Sequence, residues 1–587
     1  MQSLLAWLDR DFRRSLLLAL LLLVGLCALV FFNQLGGLGL MDKTEGLFVE
    51  VPRQMLLSGD WVTPRWNGET FFDYPVWGYW MVGLSFRLFG ISEWAARLPA
   101  ALAASVTVLA LFGLLVVLVP ADEAPSRRIG RASLCASLLA LSPGWVGWGR
   151  SSVTDMFLAS GISLALFGFA LAYGRADQPA LRRLGHGALA LFCGVAVLAK
   201  GPAGVVLPGL VILVFLLLRG TLLAELRRTP WWPMTALFLG VVTPWYALAT
   251  QANGVTFLAR FLGFSNLERF TSVLYDHPGP PWFYLPWVVL LLLPWSLFLP
   301  VAVARLRVWR LSSWRGLPAG ADLPLLALVW LVLIVAFFST AATKLPGYIL
   351  PALPGGVLLV GLLFAPLPAA GQEPPLGLGL RVSGWCNAAL LALMAVAAVL
   401  APRWLERDPS YPDFAAAVVQ AGVPLLLALP LALTALALLL LLLRRRDPAA
   451  LAWLWLPNAA GFAALLALLV PTLIPLMDRE RQLPIRQLAR QAAVQALPGE
   501  PLLVVGYKRY SVVYYSGRPV LFVSSPRKAQ RLLADQPGTS QSLLLLGSDP
   551  ELLDFGIGPG DAELLLRRDA HRLVRLPLQR LKQLEGR

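Results

Sequence analysis

Long apolar runs separated by short clusters of arginine set the pattern of this chain. Runs near the length of a membrane-crossing helix, about 20 mostly apolar residues, occur at 15–34, 94–119, 132–149, 153–173, 185–200, 202–218, 232–250, 284–304, 322–340, 348–366, 382–401, 415–443 and 450–477. The pattern predicts about thirteen spanning helices. With Arg10, Arg13 and Arg14 holding the N-terminus inside, the inner loops carry Arg127, Arg128 and Arg131, then Arg175, Arg182 and Arg183, then Arg219, Arg227 and Arg228. Arg305, Arg307, Arg310 and Arg315 follow, then Arg381, then Arg444, Arg445 and Arg446. Arginine in every inner loop is the positive-inside pattern. It holds only if "VWGYWMVGLSFRLFG" (76–90) does not cross; its shortness, Arg87 and its aromatics suit a helix lying in the interface.

The first outer loop is then 35–93, long and partly embedded. A second lies around 150–155 and a third, long one at 251–283, while "LAKGPAG" (198–204) reads as a tight turn between two helices. After 478 the composition shifts. Charge rises, and β-rich runs appear in "PLLVVGY", "SVVYYSGRPVLFV" and "SLLLLG", with helical patterns in "IRQLARQAAVQAL" and "PRKAQRLLADQ" between them. The expected organisation is a polytopic α-helical membrane part, 1–478, followed by a soluble α/β domain, 479–587. By the topology that domain is extracytoplasmic.

Composition agrees. The chain is 58% hydrophobic and 14% charged, with a mean hydropathy of +0.69, against roughly 45–50% and 25% in soluble proteins. A net charge of +16 on a soluble chain would point to nucleic acid. Here the arginines serve topology, so nucleic acid is excluded as a partner and membrane lipids take its place. Cys27, Cys135, Cys193 and Cys386 all sit in apolar runs without metal or redox spacing. The first apolar run is too long for a cleavable signal and reads as an anchor.

Ionisable groups beside a membrane mark functional sites. The spans hold almost no carboxylates. The acids gather in the outer loops as Asp42, Glu45, Asp73, Asp155 and Glu268, joined by Arg53, Arg150, Lys200, Arg269 and Lys344. Ion-coupled transporters place such groups near the bilayer midplane. This distribution instead suits a catalytic site at the membrane surface that takes a lipid-anchored substrate from the side.

The stretch "DKTEGLFVEVPRQMLLSGDWVTPRWNGETFFDYPVWGYWMVGLSFRLFGISEWAARLPA", followed in order by "GRSSVTDMFL", "LAKGPAGVVLP", "NLERF", "DHPGPPWFYLP" and "TKLPGYILPALP", resembles the aminoarabinose transferase and protein O-mannosyltransferase-like family. Only "YYSGRPV" carries the resemblance in the C-terminal part. The family consists of integral-membrane glycosyltransferases of the GT-C fold. The resemblance implies transfer of a sugar from a polyprenyl-phosphate donor to a lipid or glycan acceptor, with inversion, on the extracytoplasmic side of the inner membrane. One carboxylate base would activate the acceptor hydroxyl, and cations would hold the departing phosphate.

Asp42 and Glu45 are the candidate bases. The family has adjacent acids here, whereas Lys43 and Thr44 separate them in this chain, so either fits the position. Both could equally start the helix that "EGLFVEVPRQML" begins. Asp155 matches the acid of the second outer loop and could orient the acceptor, share base duty, or cap its own span. Lys344 and Tyr348, Arg269 with Glu268, Lys200 and Arg53 are the candidate phosphate contacts. Against these stand snorkelling for Lys344, a surface ion pair for Arg269 and a helix C-cap for Lys200. Asp73 and His277 would be an incomplete site for a divalent metal; no other cofactor is implied. In "FFDYPVW", Tyr74 stands where the family often has lysine, which removes a cation from the donor site. A non-catalytic lipid-linked-sugar binder or transporter is the alternative.

Overall fold

The computed structural model describes residues 9, 11–119, 123–259, 261, 263, 272, 278–318, 320–365, 377–405, 413–444, 448–534, 540–558 and 560–584. Ten of its helices are long and apolar enough to cross a membrane. Two bent pairs, Pro125–Ala140 with Pro143–Gly149 at 63° and Tyr284–Leu291 with Trp295–Leu306 at 109°, raise the number to twelve. The one remaining apolar run, 202–218, falls on Ala203–Arg219, a helix of 17 residues. It is cut short by Gly201 at one end and Gly220 at the other, both at positive φ. The protein is therefore a polytopic helical membrane protein with ten to twelve full spans among the described residues by length and composition, where the apolar pattern alone predicts about thirteen.

The run at 76–90 forms helix Trp77–Phe89, of 13 residues, which is too short to cross. It belongs to a segment that starts with helix Glu45–Ser58 and continues through a small antiparallel hairpin, β1 (Arg65–Trp66) and β2 (Glu69–Thr70). Asn67 and Gly68 take positive φ at its tip.

The last span does not end at 478. Ala450–Gln495 is one helical stretch of 46 residues, with a π-helical segment over Asp478–Gln482. The expected boundary at 478/479 thus falls inside a helix. Beyond it a five-stranded sheet has the order β4-β3-β5-β7-β6. Strand β3 (Leu502–Val505) pairs in parallel with β4 (Val520–Val523) and β5 (Ser542–Ser548). Strand β7 (His571–Pro577) runs antiparallel to β5 and to β6 (Glu563–Arg568). Two readings are corrected here. "SVVYYS" is helix Ser511–Ser516, not strand. Its β-branched residues favour a strand by propensity, but Val512, Val513 and Tyr515 are buried with Ile485, Leu488 and Ala492 of the long helix, and packing overrides propensity. The β6–β7 hairpin had no counterpart among the predicted strands; its exposed strand β6 alternates weakly and carries Arg567 and Arg568.

The C-terminal sheet domain and the first loop interlock on one face of the bundle. Tyr515 donates to Glu93 at 3.0 Å and accepts from the Leu40 amide at 2.8 Å. Arg486 reaches Asp478 at 2.8 Å and Glu93 at 3.3 Å. The Asn67 side chain pairs with both backbone groups of Val520, at 2.9 and 2.8 Å, and Trp66 stacks on Phe522. At Gly46 the backbones come so close that an added Cβ would lie 2.5 Å from the Ser511 nitrogen. Gly46→Ala should therefore destabilise the docked arrangement by about 1–3 kcal/mol. Faster limited proteolysis of the C-terminal domain checks this; a wild-type digestion rate would count against so close a contact.

His571, at the start of β7, is buried with Nε2 3.0 Å from the Arg509 guanidinium. Burial, and then the charge of Arg509, push its pKa down to about 4. In the unfolded chain a histidine titrates near 6.5. Between those values the unfolded state holds a proton that the folded state lacks, so stability falls as pH drops from about 6.5 to about 4. The expected loss is about 2–3 kcal/mol. It should be read in the pH dependence of thermal unfolding and be flattened in His571→Gln.

Candidate active site

Helices Thr154–Gly174 and Pro179–Lys200 pack against each other with opposite directions. The first turn of one and the last residue of the other therefore meet at the same end of the bundle. Asp155 and Lys200 form an ion pair there, Oδ1 to Nζ, at 2.5 Å, with side chains 18% and 13% exposed. The Lys200 ammonium also lies 4.8 Å from the ring of Tyr348 and 5.7 Å from that of Tyr74, within reach of cation–π attraction. Tyr74 packs on Phe48 of helix Glu45–Ser58. Tyr348 is held in the turn "PGYILPA", and Tyr284 beneath it accepts from the Leu345 amide at 3.3 Å. Four residues singled out in the sequence, Asp155, Lys200, Tyr74 and Tyr348, thus form one cluster drawn from four segments. The lysine that the resemblance leads one to expect at position 74 is absent, and the cation nearest the Tyr74 ring is that of Lys200.

Glu45 has a different place. It is fully buried, and both carboxylate oxygens are taken by Arg97, at 2.8 and 2.6 Å. It also accepts from the amides of Ser152 at 2.9 Å and Met41 at 3.1 Å. Burial alone would raise its pKa, but Arg97 and the amide hydrogen bonds outweigh that and hold it below the ordinary value. A carboxylate so stabilised is a poor base. Its contacts tie the 35–93 loop to the one around 150–155, three residues before Asp155. Arg97 was missed in the sequence. The available signal was a lone arginine one turn into a spanning helix, "EWAARLPA". It also donates to the carbonyls of Leu35, Leu38 and Gly39 at 3.0, 2.6 and 3.0 Å.

Asp42 is half-buried and accepts from the Ser511 amide at 2.9 Å. Burial pushes its carboxyl up, with partial opposition from Ser511 and the charge of Arg509. Thr44, not Asp42, occupies the N-cap of helix Glu45–Ser58, and no side chain caps it. Of the two acids, Asp42 thus has its carboxyl pushed up and Glu45 its carboxyl held down.

Arg53 turns its fork onto Glu50, at 2.6 and 2.7 Å, below Tyr514 of the C-terminal domain. Lys344 donates to the carbonyls of Ser339, at 3.1 Å, and Ala341, closing the end of helix Leu323–Thr340. These two cations are engaged with the protein itself. Glu268, Arg269 and His277 lie outside the described residues. Among the described residues no three His, Cys, Asp or Glu side chains gather as a metal set around Asp73 or elsewhere.

Comparison with known proteins supplies a class. Residues 73–247, which include Tyr74, Asp155 and Lys200, match the family described as dolichyl-phosphate-mannose-protein mannosyltransferase. Residues 495–587 match the C-terminal domain of cyanobacterial RgtA-type glycosyltransferases. The crystal structure of ArnT from Cupriavidus metallidurans bound to undecaprenyl phosphate superposes with a TM-score of 0.73 at 24% identity, over 95% of this chain and 97% of that one. At that identity the likeness shows the fold, which is GT-C. Among curated proteins, the undecaprenyl phosphate-alpha-4-amino-4-deoxy-L-arabinose arabinosyl transferase of Pseudomonas aeruginosa is 33% identical over 66% of this chain and 65% of its own length. That of Shewanella sediminis is 29% identical over 63% of each. The chain thus spans just under two thirds of the length of these relatives. It is a membrane protein of GT-C fold that is similar in sequence to these aminoarabinose transferases.

Proposed function

We propose that this protein transfers a sugar from a polyprenyl-phosphate donor to a lipid or glycan acceptor on the extracytoplasmic face of the inner membrane. The observation that carries this reading is the Lys200–Asp155 pair caged by Tyr74 and Tyr348. An acceptor hydroxyl attacks the anomeric carbon, the bond from that carbon to the phosphate oxygen breaks, and polyprenyl phosphate leaves with one more negative charge. Lys200 meets that charge where little water competes. The hydroxyl proton passes to Asp155, which stands beside Lys200; Asp42 is the second carboxylate, tested in the same series.

The experiment is turnover by the purified protein of undecaprenyl-phosphate-linked sugars, beginning with the 4-amino-4-deoxy-L-arabinose donor of its relatives. Undecaprenyl phosphate should appear in step with glycosylated acceptor, and Asp155→Asn should slow both about 10²–10⁴-fold. The ion pair with Lys200 already occupies an Asp155 oxygen, which favours a second reading, a lipid-linked-sugar binder without catalysis. Tight donor binding with no undecaprenyl phosphate released across a panel of acceptors would establish that reading and end the first.

A further inference from the structure

Helices Thr154–Gly174, Pro179–Lys200, Ala203–Arg219 and Trp231–Asn253 wall a separate cavity of about 350 Å³, lined by Phe169, Gly209, Leu213, Leu216, Met234 and Phe238. That volume is within the range of small-molecule sites, about 300–1,000 Å³. Val205 and Leu213 on its wall are exposed, so it opens sideways where the bilayer lies. The cavity belongs to the far end of the bundle. Arg183 and Lys200 sit toward opposite ends of one helix, about 26 Å apart along its axis at 1.5 Å per residue.

Charge collects at that far end. Glu225 of the short helix Leu222–Arg228 borders the cavity and pairs with Arg182 at 3.5 Å and Arg228 at 3.9 Å. Arg183 and Arg227, their neighbours in the chain, are exposed, and Arg183 donates to the Pro179 carbonyl at 3.3 Å. Four arginines against one carboxylate leave a cationic shelf over an apolar slot. Trp231 borders the slot and Trp232 is 87% exposed, the placement of tryptophan at headgroup level.

We propose that the slot holds one acyl chain of an anionic phospholipid from the leaflet opposite the Lys200 cluster. Its phosphate rests on Arg182, Arg183, Arg227 and Arg228. The shelf selects for negative charge, and the slot requires a chain attached directly beneath that charge. The proposal does not depend on sugar transfer.

The test uses the full-length protein, delipidated in detergent and titrated with phosphatidylglycerol, phosphatidylcholine or undecaprenyl phosphate, with bound lipid counted by native mass spectrometry. Phosphatidylglycerol should be retained at least tenfold more strongly than phosphatidylcholine, losing about fivefold for each of Arg183→Ala and Arg227→Ala. These two change exposed side chains, so folding is not at stake. Gly209→Phe, at a position with open space around its Cβ, should fill the slot and abolish the preference. Equal retention of the two phospholipids, unchanged retention in the arginine variants, or stronger retention of undecaprenyl phosphate than of phosphatidylglycerol would each overturn the proposal.

Discussion

Lys200→Met is expected to lower sugar transfer about 10²–10³-fold, the usual loss when one pre-organised charge stabiliser is removed. The substitution keeps an unbranched apolar stem between Tyr74 and Tyr348 and deletes only the ammonium. Asp155 loses its partner, but at 18% exposure it can be hydrated, so the fold should persist. The effect should fall on kcat more than on KM, because the charge on the phosphate grows as the sugar departs. Lys200→Arg should recover part of the rate, since a guanidinium still supplies a cation but its planar fork does not place it over both rings as a point charge does. Transfer above a tenth of the wild-type rate in Lys200→Met, measured at saturating donor, would remove Lys200 from the reaction.

The second large effect concerns stability. Arg97→Met and Glu45→Gln should each destabilise the protein by about 3–5 kcal/mol, because each leaves its partner buried and uncompensated. Arg97→Met should be the worse of the two. It strands the Glu45 carboxylate and also the carbonyls of Leu35, Leu38 and Gly39. Glu45→Gln keeps a polar group that can still accept from the Ser152 or Met41 amide. The double variant should fall well short of the sum of the singles. Thermal unfolding in detergent reads all three. Simple additivity would mean that the two side chains do not act as a pair.

Much of the membrane part was legible because a period of apolar length and a bias of arginine are both local signals. The charge bias also showed that 76–90 does not cross, which apolarity alone could not decide. What the chain hides is register across space. Asp155 and Lys200 each stood out, yet nothing in the sequence says that the start of one helix meets the end of the next at bonding distance. The Glu45 ion pair is hidden in the same way, because its partner Arg97 lies 52 residues away. Propensity misled at "SVVYYS", where contact with helix Leu483–Gln495 decides the conformation. The boundary at 478 misled for a related reason: charge enters the sequence there while the helix continues.

That long helical stretch ties bilayer thickness to the loop face. At 1.5 Å per residue a stretch of 46 residues reaches up to about 69 Å, more than twice the roughly 30 Å of a hydrocarbon core. The portion clear of lipid acts as a mast for the sheet domain, while Asn67, Leu40 and Asp42 act as its stays. The depth at which the mast is stepped is set by the hydrophobic match of its foot. A thinner or thicker membrane therefore puts tension or slack on the stays, and the fit between sheet domain and first loop becomes a property of the lipid as well as of the chain.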